Sequence, residues 1–154
     1  MTIDDHEASR SIVAPLRLLD CCLINDGAVC LILTTKERAA DLAKPPVLVS
    51  GFGGREAYRT ASIENFEFDS WHGQVSASAN DAFVMADVGA KDVDALMCYD
   101  NFSPTVLFGL ERLGFCERGE AGSFAEGGAL KVGGRLPTNT DAATSPTPTC
   151  RVGR

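Results

Sequence analysis

The sequence is poor in histidine and in positive charge, and each shortage excludes something. Two histidines, His6 and His72, do not supply a zinc site, and none of the six cysteines forms a C-x-x-C pair. Fourteen Lys and Arg stand against 21 Asp and Glu, a net charge of -7. That balance argues against a nucleic-acid surface, which needs clustered Lys and Arg to neutralise phosphates. No apolar run approaches the roughly 20 residues of a membrane-spanning helix. The opening Thr2-Ile3-Asp4-Asp5-His6-Glu7 is acidic, unlike a signal peptide. Neither G-x-G-x-x-G nor G-x-x-x-x-G-K-[ST] occurs, so the glycines at Gly51-Phe52-Gly53 do not read as a phosphate loop. Cys21, Cys22, Cys30, Cys98, Cys116 and Cys150 read as reduced thiols of a cytosolic protein, several of them in apolar runs.

What is present is enough for one cored domain: 154 residues, 45% hydrophobic. Residues 1–20 read as a helix and a connector, and Asn25-Asp26-Gly27 as a turn. Ala28 to Thr34 and Val47 to Phe52 are apolar, β-rich runs, each consistent with a buried strand. Between them, Glu37 to Leu42 is a short helix stopped by Lys44-Pro45-Pro46. Residues 54–75, with Phe66, Phe68, Trp71 and His72, read as an irregular excursion in which His72 is a surface group. Ser76 to Val88 is a helix with a face of small residues, suited to close packing.

The stretch that carries most is Ala95 to Phe115. Ala95-Leu96-Met97-Cys98 is a short apolar run, expected as a strand over 95–100. Ser103 can cap a helix and Pro104 suits its first turn, because no backbone N–H is missed there. Val106, Leu110 and Leu113 recur on one face of a helix over 104–113, and Gly114 can close it in a left-handed turn. Tyr99, Asp100 and Asn101 therefore fall where a strand ends and a helix begins, the edge at which open α/β sheets meet ligands. The strand and helix order suggests an α/β layered fold.

Several of these stretches together resemble the thiolase superfamily. Pro15 to Cys22 with Asn25 to Ala28 is similar to the end of an N-terminal thiolase domain. Gly89 to Asp94, Tyr99-Asp100-Asn101-Phe102, Leu113 to Cys116 and Leu136-Pro137-Thr138-Asn139-Thr140 resemble the C-terminal domain. The nearest resemblance is to sterol-carrier-protein thiolases and thiolase-like aldolases, often labelled lipid-transfer proteins. It implies a layered α-β-α fold of which this chain is the C-terminal half, incomplete: residues 1–43 close an N-terminal domain and residues 44–140 form the C-terminal one. It implies a substrate that is a coenzyme A thioester, with no permanently bound cofactor and no metal. It also implies a cytoplasmic protein of lipid or steroid metabolism that pairs with a second copy of itself. In the aldolase group it implies a small partner with an OB fold and a zinc ribbon.

The resemblance assigns residues as well. Tyr99-Asp100-Asn101-Phe102 matches the motif Asn-Glu-x-Phe or His-Asp-x-Phe, whose first residue helps form an oxyanion hole; here it is tyrosine, a departure. A phenol can donate to an oxyanion, or act as acid or base. Tyrosine here is similar to aldolases that cleave a β-hydroxyacyl-CoA by a retro-aldol step, for which no nucleophilic cysteine is required. None of the cysteines stands at the thiolase nucleophile's position. Tyr99 is the expected catalytic residue, with Asp100 and Asn101 supporting the turn. Alternatives are an acetyl-CoA acyltransferase proper, or a non-catalytic binding or dimerising module of the same fold. Residues 141–154 are rich in Ala, Thr and Pro and read as an aberrant tail. One codon choice with a single inserted base turns the tail's start into Asp-Gly-Gly-His, the course relatives follow, which favours a frameshift.

Overall fold

A computed structural model describes residues 2–24, 26–54 and 68–140. The tail from 141 onwards and the aromatic Phe66 lie outside the described residues, as do the side chains of Trp71 and His72. Helix α1 (Ile3–Ala8) begins in a reciprocal cap: the Asp5 N–H donates to Thr2 Oγ1 and the Thr2 N–H to Asp5 Oδ2. The expected connector after it is a small antiparallel hairpin, β1 (Ser11–Val13) with β2 (Leu16–Arg17), pairing Ser11 with Arg17 and Val13 with Leu16. Helix α2 (Lys36–Ala40) starts at Thr35, whose hydroxyl accepts from the Arg38 N–H.

The runs 28–34 and 47–52 carry no regular secondary structure and are not strands, contrary to expectation. A strand is defined by its neighbour's hydrogen bonds, and among the described residues neither run has one. Their apolar side chains are correspondingly open, with Ile32 90% and Val47 98% exposed. The run 95–100 is likewise reduced to a single parallel bridge between Leu96 and Thr138. There the Leu96 N–H donates to the Pro137 carbonyl and the Asn139 N–H to the Leu96 carbonyl.

The helices follow the sequence more closely. Helix α3 (Phe68–Ala86) starts earlier than Ser76, so part of the expected excursion is helical. Its small residues meet backbone. A Cβ on Gly51 would run into the Ala82 carbonyl, and one on Gly53 into that of Ser78, so only glycine lets residues 51–53 lie this close to α3. Helix α4 (Ser103–Arg112) carries Val106 and Leu110 buried, and Leu113, at its C-cap, packs against the core. Its cap residue is Phe102, not Ser103, and no side chain caps this end of the helix. Gly114, at φ 79°, closes the helix: its N–H donates to the Glu111 carbonyl and the Phe115 N–H to that of Leu110. Helix α5 (Ala121–Ala125) then crosses back. The core gathers Leu96, Leu110, Ala121 and Leu136, one residue each from the bridge, α4, α5 and the Leu136–Thr140 segment.

Candidate active site

The site is built where the 96–102 segment leaves the bridge and enters α4. Burial alternates along it: Leu96 buried, Met97 exposed, Cys98 half-buried, Tyr99 exposed, Asp100 half-buried. This is the two-residue period of extended chain, and it sends Leu96 and Cys98 towards the core and Tyr99 away from it. Tyr99 is 74% exposed, and no described residue bonds its hydroxyl. Its phenol is open to whatever approaches this end of α4.

The residues on either side of Tyr99 are tied down. Asp100 accepts from Asn139 Nδ2 at 3.1 Å, and the Cys98 N–H donates to Asn139 Oδ1 at 2.9 Å. Asn101 Oδ1 accepts from the Thr105 hydroxyl at 2.9 Å, one turn into α4. The Asn101 carbonyl accepts from the Cys22 N–H at 2.9 Å, beside a bridge between Cys21 and Phe102. Asp20 extends this bracing: it accepts from the Arg17 N–H at 2.8 Å and pairs with His6 at 2.9 Å. The Arg17 N–H, and after it His6 and Ser103, hold the Asp20 carboxyl below the usual carboxylate range against the opposing effect of burial.

Asp100 and Asn101 thus bond to the frame, while Tyr99 between Cys98 and Asp100 does not. Asn139 was given no role by sequence reasoning. Its signal was faint: a polar residue in a quoted motif, in a segment with no periodicity to place it. Burial, and then the Asp100 charge, push the Cys98 thiol up, against thiolate formation. Burial likewise raises Cys116, with Glu111 and Glu120 adding to it.

A separate cleft of about 740 Å³ opens between α3 and α4, with Asn80, Phe83, Asp87, Asp92 and Arg112 on its walls. Tyr99 is not among its lining residues. Arg112 is 5% exposed and stacks over the Phe108 ring at 5.5 Å, and its burial draws the guanidinium down to about 10. Among the described residues no three His, Cys, Asp or Glu side chains group to hold a metal ion. No helix among them is long and apolar enough to cross a membrane.

The family model described as thiolase C-terminal domain-like matches residues 56–146, more than half of the chain. The chain belongs to that family. A steroid side-chain-cleaving aldolase of Thermomonospora curvata is 39% identical over 91% of this chain and 36% of its own length. A 17-hydroxy-3-oxo-4-pregnene-20-carboxyl-CoA lyase of Mycobacterium tuberculosis is 40% identical over 91% of this chain and 37% of its own. An acetyl-CoA acetyltransferase of Methanothermobacter thermautotrophicus is more distant, at 32%. A solved structure titled Ltp2-ChsH2(DUF35) aldolase superposes with a TM-score of 0.74 at 35% identity, covering 91% of this chain and 37% of that one. This thiolase-like chain therefore spans a little over a third of each of these four proteins, and its fold is a part of theirs.

Proposed function

We propose that this chain is the C-terminal part of a thiolase-like aldolase that cleaves a carbon–carbon bond in a β-hydroxyacyl-CoA, with Tyr99 as the chemical residue. What carries the reading is that a steroid aldolase and a carboxyl-CoA lyase, each about 40% identical over 91% of the chain, rank above the acetyltransferase in likeness. An exposed phenol at the start of α4 suits the chemistry.

In the retro-aldol step the β-hydroxyl loses its proton to a base as the Cα–Cβ bond breaks. The electron pair of that bond passes to the thioester as an enolate, leaving a ketone or aldehyde. The enolate carbon then takes up a proton, and the shorter acyl-CoA departs. The Tyr99 hydroxyl serves either by donating to the thioester oxygen as negative charge develops there, or as the group that moves a proton. Asp100 and Asn101 hold the turn on which Tyr99 stands. No cysteine nucleophile is needed, and none of Cys21, Cys22, Cys30, Cys98 or Cys116 is assigned that role. A steroid side chain or a similarly bulky acyl group fits the relatives' names. Residues 1–43 and 44–140 are the end of one thiolase-like domain and the body of the next. A cytoplasmic location, pairing with a second copy, and a small partner with an OB fold and a zinc ribbon complete the reading, the last in keeping with the DUF35 named in the solved structure's title.

The test places residues 2–140 in the Thermomonospora curvata aldolase in place of the matching stretch, and measures cleavage of a β-hydroxyacyl-CoA. Turnover above background is expected from the full-length protein and none from the 154-residue chain alone. Tyr99→Phe keeps the ring and removes the hydroxyl, and should lower kcat by about a hundredfold or more at an unchanged melting temperature. Equal turnover at equal stability would make Tyr99 a bystander.

A further inference from the structure

We propose that Asn139 is the residue that positions Tyr99, an inference that rests on the assignment of Tyr99 to the chemistry. The parallel bridge between Leu96 and Thr138 sets up the geometry. The Leu96 N–H meets the Pro137 carbonyl at 2.9 Å, and the Asn139 N–H meets the Leu96 carbonyl at 2.8 Å. A parallel ladder continued by two residues would next offer the carbonyl of residue 139 to the N–H of residue 98. It does not continue. Asn139 turns into the left-handed region at φ 52°, and its side-chain Oδ1 takes the Cys98 N–H in place of that carbonyl. The same amide then gives its Nδ2–H to Asp100 Oδ2.

One side chain therefore holds both neighbours of Tyr99 from one edge. Tyr99 itself points the other way, by the period of extended chain, and stays exposed. Few residues satisfy the three demands at once. The left-handed backbone favours Gly, Asn or Asp. Accepting from an amide N–H needs a side-chain oxygen, which glycine lacks. Donating to a carboxylate needs a side-chain N–H, which aspartate lacks. Asparagine alone among the three meets them all. A further consequence concerns mobility: no described residue bonds the phenol, so among the described residues its placement depends on the Cys98–Asp100 backbone. Asn139 acts through Tyr99 and touches no reacting atom, so it is a positioning residue.

Amide exchange on the whole 154-residue chain tests the geometry. Asn139→Gly keeps the backbone conformation and removes the side chain, and Asn139→Asp keeps the acceptor and removes the donor. In Asn139→Gly the Cys98 amide should exchange about tenfold faster or more, with the Leu110 amide unchanged. In Asn139→Asp the Cys98 amide should stay protected. Cys98 exchange unaltered in Asn139→Gly would overturn the clamp. Kinetics on the full-length chimera test the function: Asn139→Gly should lower kcat by about tenfold with KM within about twofold, and should add nothing in the Tyr99→Phe background. A merely structural role would lower both backgrounds alike, and that result would overturn the inference. Full turnover in Tyr99→Phe defeats the assignment of Tyr99. Low turnover there beside normal turnover in Asn139→Gly defeats only the role of Asn139.

Discussion

Leu110 is the residue whose loss should be felt most, because it joins α4 to the Leu96 bridge in the core. It is fully buried, at 0% exposure, and packs with Leu96, Ala121 and Leu136 from three other segments. Leu110→Ala removes roughly three methylene equivalents at about 0.8 kcal/mol each, about 2.4 kcal/mol of transfer free energy. The vacancy adds to this, since four segments braced by their own hydrogen bonds cannot all close in. The expected total is about 3–5 kcal/mol, the upper part of the range for buried Leu→Ala changes. Urea unfolding followed by circular dichroism reads it as a lower midpoint at unchanged slope. Val132→Ala, at a side chain 73% exposed, is the control and should stay within about 0.5 kcal/mol of the parent. A loss below about 1 kcal/mol in Leu110→Ala would mean that α4 is not anchored through this residue. The bracing described around Tyr99 would then lose its foundation.

Three further outcomes follow from other parts of the molecule. Gly51→Ala should destabilise by about 1–3 kcal/mol, because the new Cβ meets the Ala82 backbone carbonyl rather than a movable side chain; an unchanged melting temperature would refute the close approach. Asp20 has a lowered folded pKa, so its stabilising effect is complete above the ordinary value of 3.8 and is lost as pH falls through the folded one; Asp20→Asn should flatten that part of an acid-unfolding curve, and an identical curve would count against the Arg17 and His6 contacts. Cys30 is exposed whereas burial raises Cys98, so iodoacetamide at neutral pH should label Cys30 well before Cys98, as peptide mass mapping would show; equal rates would contradict the packing of Cys98.

Helix α4 could be read from the sequence because its causes are local. Val106, Leu110 and Leu113 repeat on one face, Pro104 suits a first turn and Gly114 a left-handed exit, and the structure has all of these in place. The Tyr99-Asp100-Asn101-Phe102 motif and its place before a helix were legible for the same reason. The strands were not. Val29, Leu31 and Ile32, like Val47 and Val49, have strand composition, yet composition cannot provide the neighbour on which strand pairing depends. In the structure they are exposed and unpaired among the described residues. Ser103 suits a cap by residue type, yet the helix begins one residue earlier, with Phe102 at the cap. Asn139 shows the same limit most clearly. Nothing local in Leu136-Pro137-Thr138-Asn139-Thr140 marks a clamp on Cys98 and Asp100, because its partners are 41 and 39 residues away. Only the parallel bridge at Leu96, made in three dimensions, brings that amide to the edge on which Tyr99 stands.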